Sequence, residues 1–75
     1  MRNVDKKRIY WLRDDEIIDN LNMMSGRISR FVKFPDVLDS IKDNYYRHIA
    51  ELQKRGMNHT ASFYQELWNE KVKYQ

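Results

Sequence analysis

Three basic side chains, Arg27, Arg30 and Lys33, stand at intervals of three among apolar and aromatic residues. On a helix, at about 100° per residue, they fall within about 120° of arc, and the apolar residues between them face the other way. Single-stranded nucleic acid is bound by such a combination, because cations follow the phosphates and rings stack on the bases. The pattern predicts a nucleic-acid-binding flank. The alternative interpretation is a solvated helix face with Phe31 in the core.

A second basic cluster lies close to the N-terminus and consists of Lys6, Lys7 and Arg8. It is followed at once by the aromatic residues Tyr10 and Trp11. A basic arm beside a helical body is a common way to grip phosphates, so we expect this cluster to bind nucleic acid as well. The alternative is that it solubilises the terminus while Trp11 packs inside. If the fold brings both basic clusters to one side, they would act together.

The formal net charge of +3 is unevenly distributed along the chain. Five bases and one acid in residues 1–13 give +4, four acids in residues 14–24 give −4, and three bases in residues 25–34 give +3. The total is modest for a nucleic-acid binder, so phosphate binding would depend on the local clusters.

Groups that could support catalysis or bind a metal are scarce. The chain has no cysteine and only two glycines, which excludes thiol chemistry, zinc–thiolate sites and a glycine-rich phosphate cradle. His48 and His59 are eleven positions apart with no companion at ligand spacing. The acidic run from Asp14 to Asp19 lacks the glycine-centred loop of a calcium site and is typical of a helix start. We therefore expect no enzymatic activity, metal, cofactor or small-molecule substrate.

Aromatic residues are numerous enough to suggest a protein interface as the runner-up function. Ten aromatic side chains in 75 residues exceed what a small bundle buries completely, and interface hot spots favour aromatic residues and arginine. The candidate contact residues are Trp11, Tyr46 and Trp68. The alternative is a purely structural role, in which such rings cover the rim of the core. On this reading the chain is an adaptor or inhibitor of a larger protein.

The elements that position these residues are helical. Pro35 suits a first helical turn, and apolar residues at spacings of three and four predict a helix to Arg55. Gly56 would then supply the left-handed residue of a Schellman cap, with Met57 folding back on the helix. A further helix over residues 59–73 follows after a short link. The resulting hairpin resembles a helix–turn–helix, although acidic residues of its second helix would face phosphates.

A third helix is predicted over residues 14–24, with its apolar stripe continuing beyond Gly26. We favour a break at Ser25-Gly26 over a continuous helix, because glycine after serine is a ready cap. A short fourth helix would lie over residues 27–33 or near the N-terminus. Residues 1–12 are expected to be a basic arm or a short helix.

These elements predict an all-α fold, a small three- to four-helix bundle with residues 13–75 as its single domain. The predicted core is the set Ile17, Ile18, Leu21, Met24, Ile28, Phe31, Val32, Val37, Leu38, Ile41, Tyr45, Ile49, Leu52, Phe63, Leu67, Trp68 and Val72.

A mean hydropathy of −0.90 and no signal-peptide pattern predict a cytoplasmic protein with no membrane association. Low alanine and glycine with abundant Asn, Ile, Lys and Tyr is typical of small phage and plasmid accessory proteins. The expected function is non-enzymatic binding of nucleic acid with low sequence specificity, as an accessory to a replication, repair or transcription machine.

Overall fold

A computed structural model describes residues 9–73 of the chain. Over this range it contains α1 (Asp14–Phe31), α2 (Pro35–Lys54) and α3 (Asn58–Lys73), preceded by a helical turn at residues 9–11. No strand occurs within the described range. The prediction of an all-α bundle is confirmed. Residues 1–8, and with them the predicted basic arm, lie outside the described residues.

Each of the three helices packs against the other two. The Cα positions span 33 × 32 × 15 Å, so the bundle is a thin slab with little interior. A small slab leaves a large share of its side chains on one surface or the other.

Helix α1 is continuous through Ser25 and Gly26, so the predicted break is wrong. Met24, Ser25 and Ile28 are all buried, and the buried stripe of the helix crosses the glycine without interruption. The Ser25 hydroxyl donates a hydrogen bond to the Asn22 carbonyl at 2.9 Å, which satisfies it inside the helix rather than at a cap. Burial of the stripe outweighs the cost of about 1 kcal/mol for a helical glycine. Residues 27–31 are therefore the end of α1, not a separate helix.

The start of α1 and the end of α2 agree with the sequence. The Arg13 backbone N–H donates to the Glu16 carboxylate at 2.8 Å, which satisfies one of the orphan groups at a helix start. At the end of α2, Gly56 has φ +84°, its N–H donates to the Gln53 carbonyl and that of Met57 donates to the Leu52 carbonyl. This pair of hydrogen bonds is the predicted Schellman motif.

The core is smaller than the predicted set. Its buried members come from all three helices: Ile17, Leu21, Met24, Ile28, Tyr45, Ile49, Leu52, Ala61, Tyr64 and Trp68. Val37 and Phe63 are 41% and 59% exposed, so placing them in the core was wrong. Leu38 and Ile41 are only half-buried and pack against the edge of this core.

Two tyrosine hydroxyls tie the helices together. The buried Tyr45 hydroxyl donates to the Tyr64 carbonyl at 2.6 Å, and the Tyr64 hydroxyl donates to Asn22 Oδ1 at 2.7 Å. Burial is the main reason that the pKa of Tyr45 is raised well above its usual value. The chain of contacts runs from α2 through α3 to α1 and fixes the register of all three helices.

Candidate nucleic-acid interface

The predicted basic flank lies at the corner where α1 ends and the chain turns into α2. Arg27 and Arg30 are exposed on the last turns of α1, and Lys33 is exposed in the turn that follows. The assigned helix ends at Phe31, its C-cap Val32 keeps right-handed helical dihedral angles, and Lys33 follows in the turn. The three cations therefore lie at one corner of the molecule, two on α1 and one just beyond its end.

An aromatic pair belongs to the same corner. The Phe31 and Phe34 rings meet edge to face, with centroids 6.2 Å apart. Phe31 is half-buried, and Phe34 is 56% exposed directly after Lys33. The backbone N–H of Phe34 donates to the Phe31 carbonyl at 2.9 Å, which closes the turn. Phe34 is thus the accessible ring of the corner, and sequence reasoning had not selected it.

The cations of the corner are available to an outside ligand. Within residues 9–73, none of Arg27, Arg30 and Lys33 lies within ion-pair distance of a carboxylate. Arg27 contacts the exposed sulfur of Met23, at 3.9 Å. The exposed Asp36 follows on the first turn of α2 and limits the extent of the positive surface.

A second exposed aromatic surface lies at the other end of α1. Trp11 is 78% exposed and Tyr10 61%, so the interpretation of Trp11 as a core residue is excluded. The Lys54 ammonium lies 4.9 Å from the centre of the Tyr10 ring. A groove of about 400 Å³ opens beside this contact, lined by Ile9, Tyr10, Arg47, Ala50, Glu51 and Lys54.

Arg55 fastens this N-terminal segment to the bundle. Its guanidinium binds Asp14 Oδ1 at 2.8 Å and Glu51 Oε2 at 2.9 Å, and it donates to the carbonyl oxygens of Ile9 and Tyr10. The hydrogen bonds to the two carboxylates raise the pKa of Arg55. The sequence analysis used Arg55 only as the end of a helix, because three of its four partners, Ile9, Tyr10 and Asp14, are more than 40 positions away.

The two candidate surfaces are separated by the length of α1. Its 18 residues span about 27 Å at 1.5 Å per residue. Arg13 lies at the start of the helix, and Arg27 and Arg30 lie near its end. The first of these is paired with Asp15 at 3.5 Å. Lys6, Lys7 and Arg8 fall outside the described residues, so their place relative to the corner stays a prediction.

The predicted protein-contact residues have different environments. Trp68 is 4% exposed, with its ring centre 5.0 Å from that of Tyr45, so its assignment to an interface was wrong. It lies on the buried stripe of α3 with Ala61 and Tyr64. Tyr46 is half-buried, in ring contact with both Tyr45 and Trp68. Of the three candidates, Trp11 alone is fully accessible.

Histidine and carboxylate side chains form no metal-binding cluster in the described part of the chain. Residues 9–73 contain no group of three or more histidine, cysteine or acidic side chains that could hold a metal ion. His48 is buried, where its Nδ1 donates to the Asn44 carbonyl at 2.8 Å and its Nε2 faces the Asn20 amide at 3.2 Å. Burial lowers the pKa of His48 and outweighs the hydrogen bond to Asn44. These contacts give His48 a packing role between α1 and α2.

The hairpin of α2 and α3 carries acidic residues on its second helix. Glu66 and Glu70 are exposed on α3 beside Phe63 and Leu67. A phosphate backbone would repel this face, which weighs against insertion of α3 into a major groove.

No helix within the described residues is long and apolar enough to cross a membrane. Comparisons with protein-family models, curated proteins and solved structures found no match to this chain.

Proposed function

We propose that this protein binds nucleic acid without catalysing a reaction and with low sequence specificity. Single-stranded or branched DNA is the favoured ligand, and the role is accessory to a larger replication, repair or transcription machine. The proposal is supported most strongly by the corner of Arg27, Arg30 and Lys33. These cations have no carboxylate partner in the described range, and the exposed ring of Phe34 lies at the same corner.

The chemistry of this corner suits a flexible strand better than a duplex groove. Three cations can neutralise about three phosphates, and each released counterion contributes about 0.7 to the salt slope on single strands. A base stacked on Phe34 would add about 1–3 kcal/mol whatever its identity. Phosphate neutralisation and stacking on an aromatic ring depend little on base identity, so we expect little discrimination between sequences.

The test is a titration of labelled single-stranded and forked DNA at several salt concentrations. Replacing Arg27, Arg30 and Lys33 by alanine should weaken binding uniformly across sequences and reduce the salt slope by about two units on single strands. The matched control replaces Arg13, Lys42 and Lys73, which removes the same charge from scattered positions. It should reduce binding much less. Equal binding by the wild type and the corner variant would remove the proposed role of the corner.

The same titration tests the predicted contribution of the N-terminal basic cluster to nucleic-acid binding. Replacing Lys6, Lys7 and Arg8 by alanine should weaken binding independently of the corner, so that the two losses add. A wild-type chain that fails to bind at about 50 mM salt would contradict nucleic-acid binding altogether.

A protein partner is the second candidate, and the exposure of Trp11 favours it. A tryptophan that is 78% exposed is an expected hot spot, since burying its ring on a partner removes a large apolar area from water. If the chain ignores nucleic acid but co-purifies with one protein in fixed stoichiometry, Trp11→Ala should weaken that complex by more than tenfold. Phe63→Ala, at a similarly exposed ring on α3, is the control.

A further inference from the structure

The outward face of α2 carries a regular stripe that the proposed function does not use. Its members recur at intervals of four and three along the helix: Asp36, Ser40, Asp43, Arg47, Ala50 and Lys54. All are exposed except the half-exposed Arg47. At about 100° per residue they lie opposite the buried residues Tyr45, Ile49 and Leu52. Alternating steps of four and three residues are the heptad spacing at which one helix packs along another.

The charges on this stripe are ordered along the helix. Its first half is acidic, with Asp36 and Asp43, and its second half is basic, with Arg47 and Lys54. If a second α2 lies antiparallel across a two-fold axis at the level of Tyr45, Asp36 of one copy faces Lys54 of the other. The same operation places Asp43 opposite Arg47, so every charge of the stripe meets its opposite. A parallel pairing would place like charges together.

We propose that this stripe binds a second copy of the chain, so that the protein forms a two-fold symmetric antiparallel dimer through α2. The inference is independent of nucleic-acid binding, because it uses none of the cations of the corner. A two-fold interface must be self-complementary, and the charge order of α2 meets that requirement.

The small residues of the stripe are placed where close approach is needed. The two-fold operation puts Ser40 of one copy opposite Ala50 of the other, and neither side chain is large enough to separate the helices. In the isolated chain, Arg47 pairs with Asp43 on its own helix at 3.4 Å. In the dimer it would lie between that carboxylate and the equivalent one of the second copy, which forms a four-charge cluster around the axis.

The groove beside Ala50 provides room for the second copy. Its lining includes Tyr10 on one side and Arg47, Ala50 and Lys54 of α2 on the other. The two-fold operation brings Val37 of the second copy, itself 41% exposed, to the level of this groove. Two exposed apolar side chains, Val37 and Tyr10, would thus be covered at each end of the interface. Because most of the contact is charged, the dimer should be weak and sensitive to salt.

Charge reversal tests the pairing. The wild type should shift from monomer toward dimer in sedimentation equilibrium between about 20 and about 500 µM at about 50 mM salt, and dissociate at about 500 mM salt. Asp43→Arg and Arg47→Asp should each abolish the homodimer, since each places like charges across the axis. An equimolar mixture of the two variants should restore a 1:1 dimer, because every introduced charge then faces its opposite. The thermal midpoint of each variant confirms that it is folded.

Charge reversals on α1, outside the proposed interface, are the controls. Asp19→Arg and Arg30→Asp make the same charge changes on α1 and should leave the dimer intact, separately or mixed. A wild type that stays monomeric over the whole concentration range at low salt overturns the proposal. So does a dimer that survives both Asp43→Arg and Arg47→Asp, since its interface would then lie elsewhere.

Disulfide trapping tests the register without relying on charge. The chain has no native cysteine, so Ser40→Cys and Ala50→Cys introduce the sole thiols. Mixed under mild oxidation, the two variants should form a cross-linked heterodimer, because positions 40 and 50 face each other across the axis. Each variant alone should cross-link at least tenfold less, since ten residues of helix separate its two equivalent thiols by about 15 Å, beyond disulfide reach. Equal cross-linking of the single variants and the mixture would contradict the antiparallel register.

Discussion

At the scale of single residues, hydrogen bonds from buried polar groups connect the helices. The Tyr45 and Tyr64 hydroxyls and the His48 ring each connect two different helices. Sequence spacing placed Tyr45 in the core. It could not predict the hydrogen bonds of these three side chains, because each partner depends on how the helices cross. The same limitation hid Arg55, whose contacts reach back to residues 9–14.

His48 should make the stability of the fold fall at mildly acidic pH. Its pKa is lower in the folded chain than in the unfolded chain, because burial disfavours the charged ring. The unfolded state therefore takes up a proton first. The contribution is fully present above the unfolded value of about 6.5 and is lost as the pH falls through the lower folded pKa.

Denaturation by urea between about pH 7.5 and about pH 5 measures this loss. His48→Gln should reduce the difference in unfolding free energy between the two pH values, since the glutamine does not titrate. His59→Gln, at an exposed position of α3, is the control and should keep the wild-type difference. An unchanged pH dependence in His48→Gln would show that other groups cause it.

At the scale of elements, the helices were predictable where local signals agree. Pro35, the acidic run at Asp14 and the cap at Gly56 each mark a helix boundary that the structure confirms within one or two residues. The predicted break at Gly26 was wrong because two sequence signals disagreed there. Serine followed by glycine favoured a helix end, whereas the long apolar stripe favoured a continuous helix. Burial of that stripe in the folded chain decides for the continuous helix. The sequence analysis did not select Phe34 as an exposed aromatic residue, because its exposure depends on where α1 ends.

Gly26 is a site where alanine should stabilise the protein. The residue lies inside α1, and an added Cβ would meet no atom within 4 Å. Alanine removes backbone freedom from the unfolded chain, so we expect a gain of about 0.5–1 kcal/mol in the free energy of unfolding. Urea denaturation measures it. A loss of stability would indicate that α1 bends at this residue in solution.

Gly56 should respond in the opposite direction. Its φ of +84° lies in the left-handed region, which a β-branched side chain resists although space is available around it. Gly56→Val should lower the free energy of unfolding by more than about 1 kcal/mol. The comparison of thermal midpoints includes Gly26→Val, which places the same side chain at a right-handed position and should cost less. Equal midpoints for wild type and Gly56→Val would contradict the Schellman cap.

At the scale of the whole molecule, two exposed surfaces lie far apart. The sequence analysis had left open whether they would lie on the same side. The corner of Arg27, Arg30 and Lys33 lies at one end of α1, and Tyr10 and Trp11 lie at the other. Sequence spacing predicted that the cations would be exposed together, because they avoid the apolar stripe. It could not predict the separation of the two surfaces, which follows from the length of α1. It also placed Trp68 both in the core and at an interface, and the contact with Tyr45 decides for the core.

The most direct test of the proposed nucleic-acid interface is an NMR titration. The amide resonances of the chain are followed while a short single-stranded DNA is added. We expect salt-sensitive shifts at residues 27–34, largest around Phe34, and at the N-terminal cluster of Lys6, Lys7 and Arg8. Changes on the acidic face of α3, at Glu66 and Glu70, should be much smaller. The first turns of α1, rich in acidic residues, should also be unaffected. Absence of shifts at about 50 mM salt, or shifts confined to surfaces other than the corner, would contradict the assignment of this corner as a nucleic-acid interface.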